Sequence, residues 1–158
     1  MSIWSALGFG GRDPRILKDA RVLKRSECAA IFAAQLSFGD LKPRDQEYLA
    51  LTEDGYRRLL DKYWDHLDYG YGSNGPEFPD CDDFADLSFA AVTSGAIEEG
   101  MRQRPAYART WLKKSGSESS HEQNPCITNE QRIVLFEPQT GGWSRDLSAV
   151  ERVVDADL

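Results

Sequence analysis

Two short strand-like runs, Gln123 to Thr128 and Arg132 to Phe136, flank Asn129-Glu130-Gln131, and together they predict an antiparallel β-hairpin. A hairpin dictates which residues face each other. Asn129 lies eight residues from His121 and eight from Glu137. A turn centred there sets those two opposite one another, with Cβ atoms about 4.5–5.5 Å apart. A carboxylate on one imidazole nitrogen fixes the tautomer and leaves the other nitrogen to take a proton. The pairing depends on register, because a slip of one residue turns Glu137 to the other face. Pro138 ends the second strand.

A third residue carries chemistry. In Phe78-Pro79-Asp80-Cys81-Asp82-Asp83-Phe84-Ala85, Pro79 and Asp80 read as the entry and N-cap of a helix that runs to about Glu98. Cys81 then sits in the first turn, where unpaired amides and the helix dipole favour a thiolate. Phe84, Ala85, Ser88, Val92 and Ala96 follow it at helical spacing, which places it on an inward-facing stripe. The plain alternative is a small, buried, apolar cysteine. Cys28, among Ala29, Ala30, Ile31 and Phe32, reads as core, and Cys126 as packing within the hairpin. Three widely spaced cysteines without a C-x-x-C pair suggest neither a disulfide framework nor a zinc site, and point to a reducing, cytoplasmic setting.

Elsewhere the chain reads as helix first and sheet later. Ser26 reads as the cap of a helical run ending near Phe38-Gly39-Asp40. Thr52 opens the clearest helix, with Tyr56, Leu59, Leu60, Tyr63, Trp64 and Leu67 on one face. The segment Tyr69 to Pro76 is a glycine-rich loop without phosphate-loop spacing. Beyond Gly100, Tyr107 to Leu112 alternates as a strand. With 158 residues and 41% hydrophobic content there is material for one core. The expected organisation is a loosely ordered arm at 1–13, a single domain at 14–147 and a C-terminal tail at 148–158. No apolar run approaches the ~20 residues of a membrane helix, and a net charge of −7 argues against binding to phosphate backbones. Neither membrane nor nucleic acid is therefore an expected partner.

The words Asp80-Cys81-Asp82-Asp83-Phe84-Ala85, His121-Glu122-Gln123-Asn124 and Ile133-Val134-Leu135-Phe136-Glu137-Pro138-Gln139-Thr140, ending at Trp143, resemble the C-terminal cysteine-protease domain of fungal chimerolectins of the Marasmius agglutinin type. The resemblance spans roughly Asp80 to Trp143. It implies an α+β, papain-like cysteine hydrolase fold with N-terminal helices packed on an antiparallel β-sheet. It further implies that Cys81, His121 and Glu137 form a catalytic triad. The family's dependence on calcium implies a metal ligand at Asp82, which follows the cysteine directly, although no cofactor is required for the chemistry itself.

The function expected from these residues is a thiol hydrolase, foremost of peptide bonds. His121 would deprotonate Cys81, the thiolate would attack a carbonyl to form a thioester, and Glu137 would orient His121. The expected partner is a peptide or protein substrate. Gln123, Asn74 and Gln139 are candidate oxyanion donors, and Trp143 either shields the site or belongs to the core. Two alternatives stay open. One is a catalytically inactive papain-like binding or adaptor module, and the other a thiol amidase or transglutaminase-type acyl transferase.

Overall fold

A computed structural model of the chain describes residues 11–36, 38–64, 81–116 and 120–158. Among them the elements run β1 (Arg21–Lys24), α1 (Arg25–Gln35), β2 (Phe38–Lys42), β3 (Glu47–Ala50), α2 (Glu53–Tyr63), α3 (Cys81–Glu98), β4 (Arg104–Pro105), β5 (Arg109–Lys114), β6 (Ser120–Ile127), β7 (Ile133–Glu137), β8 (Gly142–Ser144) and β9 (Val150–Asp157). One sheet has the order β1-β3-β4, and the larger has the order β2-β9-β5-β6-β7-β8.

The apolar run Ile133-Val134-Leu135-Phe136 is too continuous for a half-exposed strand, and β7 is buried on both faces. Ile133 and Leu135 join Leu112, Val153 and Ala156 beneath Cys28, Ile31 and Phe32 of α1. Val134 and Phe136 turn the other way and join Cys126 against Leu59, Leu60 and Val92 of α2 and α3. The large sheet is thus a middle layer with a helix on one side and two on the other.

Thr52 caps α2 as its position predicts, its hydroxyl accepting from the Gly55 amide at 2.9 Å. Helices α2 and α3 pack closely where Gly95 meets Tyr63. A Cβ built on Gly95 would lie 2.5 Å from the Tyr63 ring. The buried Tyr56 hydroxyl reaches the carbonyls of Ala106 (3.1 Å) and Ile127 (3.0 Å), tying α2 to both strand systems.

The expected order of helices followed by an antiparallel meander is corrected. Three strands, β1 to β3, lie in the first fifty residues, and two strand pairings are parallel, β2 with β9 and β3 with β4. Segments such as RVLK and EYLA, four residues each, are too short to show a period that distinguishes strand from loop. The first helix is capped at Lys24, with Ser26 inside its first turn instead of at the cap, and it ends at Gln35, while Phe38-Gly39-Asp40 belongs to β2. The tail at 148–158 is corrected as well, because Val150–Asp157 is a central strand hydrogen-bonded between β2 and β5. Most of the arm at 1–13, the helix cap at Asp80, and Asn74 with its glycine-rich loop lie outside the described residues.

Candidate functional site

The β6–β7 ladder pairs Asn124 with Phe136 and Ile127 with Ile133. Continuing that register sets Gln123 directly across from Glu137 and puts His121 on the diagonal. The offset from the expected pairing is two residues, which preserves the face, so His121, Gln123 and Glu137 remain on one side of the sheet. Side chains span the diagonal. His121 Nε2 and Glu137 Oε2 are 2.5 Å apart, and Gln123 Nε2 donates to the same oxygen at 2.6 Å.

Glu137 closes β7, and the chain then folds back into β8. Its carbonyl accepts from the Gly141 amide at 2.8 Å, and Gly141 has φ +71°, a left-handed conformation suited to glycine. Its second carboxylate oxygen accepts from the Gln139 amide at 3.3 Å. Burial pushes the Glu137 carboxyl up in pKa, but the hydrogen bonds from His121 and Gln123, with the His121 charge, outweigh it and bring the pKa below the ordinary value. His121 and Glu137 are each about one-fifth exposed (23% and 18%), so the pair is reachable from solvent. With Glu137 on Nε2, Nδ1 is the nitrogen placed to exchange a proton.

Cys81 is the first residue of α3, half-buried and not in a disulfide. Its stripe packs on β6 through Ala85 and Ser88. Ser88 donates to Asn124 Oδ1 at 2.6 Å, and Asn124 donates to the Ala85 and Ala108 carbonyls. The negative charge of Asp82, next to Cys81 at the start of α3, acts on Glu122, the neighbour of His121 in β6. Through its bonds to Ser88 and the Ala85 carbonyl, Asn124 is turned towards α3. The other two thiols are chemically quiet, since burial raises Cys28 to about 11 and pushes Cys126 higher still.

Three features escaped the sequence reading. Gln123 is a donor to Glu137 rather than a group left for a ligand, a role visible only once the register is known. Glu122 is fully buried, with Arg109 ion-paired to Oε1, and Oε2 has no hydrogen-bond partner among the described residues. Trp143 pairs with Phe136 on the α2 side of the sheet, with ring centroids 4.9 Å apart and Arg57 stacked 4.8 Å from its ring, so it faces away from Glu137. Among the described residues no group of three or more His, Cys, Asp or Glu side chains is placed to hold a metal ion, and Asp80, beside Asp82 and Cys81 in sequence, lies outside them.

A separate pocket of about 260 Å3 lies where the end of α2 meets the turn between β7 and β8. Trp64, Phe136, Pro138 and Trp143 give it aromatic and apolar walls, and Asp61 and Thr140 supply polar groups. Among the described residues no helix is long and apolar enough to cross a membrane.

No protein-family model matches the chain, and no curated protein matches it. Solved structures do. A PSL1a-E64 complex superposes with TM-score 0.71 at 21% identity, covering 87% of this chain and 51% of that one. The Polyporus squamosus lectin bound to the human-type influenza-binding epitope Neu5Aca2-6Galb1-4GlcNAc superposes with TM-score 0.68 at 21% identity, covering 87% and 49%. The chain therefore spans about half the length of these structures. They overturn the expected papain-like fold and the resemblance to a Marasmius agglutinin type protease domain, because the fold matched is that of a lectin structure. The expectation of a peptide-cleaving thiol hydrolase, a cysteine-protease enzyme, is corrected with it. At this identity, what the chain shares with these lectin structures is their fold.

Proposed function

We propose that the chain is a binding module whose partner is a carbohydrate, held in the aromatic pocket between α2 and the β7–β8 turn. The observation that carries the reading is the pairing of Trp64, Phe136 and Trp143 with Asp61 and Thr140 in one small concavity. A pyranose has an apolar C–H face that stacks on an aromatic ring and a rim of hydroxyls that donate to a carboxylate. Binding sites for small molecules combine such apolar walls with a few placed polar groups. The glycan held by the Polyporus squamosus lectin supports the ligand class.

Titration with Neu5Aca2-6Galb1-4GlcNAc and with Galb1-4GlcNAc, followed by tryptophan fluorescence, tests the reading. Saturable change is expected, and Trp143→Ala should raise Kd about tenfold, on the order of 1.4 kcal/mol. No saturable change for either glycan would exclude the reading. Release of a peptide product by the wild-type chain but not by Cys81→Ala would overturn it in favour of an enzyme.

The hydrogen-bonded His121–Glu137 pair favours a second reading for the other site: Cys81, His121 and Glu137 act as one nucleophilic thiol–imidazole–carboxylate unit. The PSL1a-E64 complex supports E64 as the probe. Its epoxide would be opened by the Cys81 sulfur, a C–S bond replacing a C–O bond, and the alkoxide would take the proton from His121. Intact-mass and peptide mass spectrometry should find one adduct, on Cys81, formed at least tenfold more slowly in His121→Ala and Glu137→Gln. Equal rates in all three proteins would exclude a joint site.

A further inference from the structure

A larger cavity, of about 360 Å3, opens at the other end of α2, against the turn between β6 and β7. By the share of one water in the liquid, about 30 Å3, it has room for on the order of ten waters, or for one sugar ring. Ile133 and Leu147 give it an apolar floor, and Asp19, Glu53, Arg132 and Arg145 stand at its rim.

The rim charges are arranged in opposition. Glu53 accepts from Arg145 at 2.7 Å and from Arg57 at 2.8 Å. Arg132 lies 3.9 Å from Glu130 and is 71% exposed. Asp19 is held in the left-handed region at φ 58°, with Asn129 donating to its carbonyl at 3.1 Å. Aspartate is among the few non-glycine residues that adopt αL readily, and here Asp19 lines the cavity. A free anion entering the cavity meets Asp19 and Glu53, and a free cation meets Arg132 and Arg145. A neutral ligand with adjacent hydroxyls avoids both penalties, since one hydroxyl donates to a carboxylate while its neighbour accepts from a guanidinium.

We propose that this cavity is a second carbohydrate site, selective for an uncharged, hydroxyl-rich ring, and separate from the aromatic pocket. It rests on the carbohydrate-binding reading above. Glu53 and Asp61, which border the two cavities, are eight residues apart on α2, roughly 12 Å at 1.5 Å per residue, so a ring in one site does not fill the other.

The test is an amide-shift NMR titration of the full chain with the neutral disaccharide Galb1-4GlcNAc. The amides of Thr128 and Asn129 report the new cavity, and those of Thr140 and Gly141 report the aromatic pocket. Two saturating curves are expected. Asp19→Asn, which retains a residue at home in αL, and Arg132→Ala should each weaken the Thr128–Asn129 curve at least tenfold, while Trp143→Ala weakens the other. Movement at Thr140 and Gly141 alone would overturn this site and leave the carbohydrate reading standing. Movement at both sets that responds only to Trp143→Ala would also overturn it, as one site with a distant effect. No movement at either set would remove the carbohydrate reading and this site together. Tighter binding of glucuronate than of the neutral disaccharide at Asn129 would overturn the selectivity.

Discussion

Glu137 and Glu122 lie on adjacent strands and respond to pH in opposite senses, because one carboxylate is satisfied and the other is not. Glu137 has its folded pKa lowered by donors, so its stabilisation is present above the ordinary carboxylate range and is lost as pH falls through the folded value. Glu137→Gln should therefore flatten the acid limb of urea midpoints measured below about pH 4.5. For Glu122, burial raises the pKa from 4.5 to about 7, opposed by Arg109 and assisted by Asp86 and Asp82. Between those values the folded state keeps a proton that the unfolded state has lost, so stability declines as pH rises, by at most about 3 kcal/mol across the window. Glu122→Gln should remove that slope, and a slope unchanged between pH 5 and 8 would show that another group causes it. The His121–Glu137 pairing was legible in the sequence because strand parity survives a two-residue offset. The burial of Glu122 was not legible, since a charged residue in a strand gives no local sign that the surrounding structure covers it and pairs it with Arg109.

Helix α3 is positioned by two contacts of different kinds, and each makes a prediction. Asn124 hydrogen-bonds both to the helix and to the Ala108 carbonyl of the segment leading into β5, so Asn124→Leu would leave Ser88 and two carbonyls without these bonds in a buried place. Loss of about 2–3 kcal/mol in chemical denaturation is expected, and a loss below about 0.5 kcal/mol would show that the network is incidental. At Gly95, alanine gains up to about 1 kcal/mol of helix propensity, but its Cβ would stand 2.5 Å from the Tyr63 ring. Overpacking costs about 1–3 kcal/mol, so the clash wins and Gly95→Ala should lower Tm. A raised Tm would mean that Tyr63 yields freely. Helix α2 was readable from Thr52 and its apolar stripe, and so was the inward stripe of α3, because helical period is a local property. The strands β1 and β3 were not, since short segments take their conformation from the partner strand rather than from their own residues.

At the scale of the whole molecule, the large sheet is completed by the last residues of the chain. Val153 and Ala156 are buried in the core beside Leu112, and β9 lies between β2 and β5. Truncation after Ser148 would expose both neighbours and remove part of the core under α1. It should abolish the cooperative thermal transition followed by circular dichroism, and a truncated chain that still melts cooperatively would show the strand to be dispensable. Local pattern alone determined the face shared by His121 and Glu137, the Thr52 cap and apolar stripe of α2, the stripe of α3, and the position of Cys81 at a helix start, because each depends on residues within about sixteen positions of one another. Tertiary structure alone decided the parallel pairing of β2 with β9, the burial of both faces of β7, the exact partner of Gln123, and the two cavities at the ends of α2. These join residues as far apart as Phe38 and Val153, and such contacts form only when the burial of a shared core outweighs the entropy of closing the chain between them.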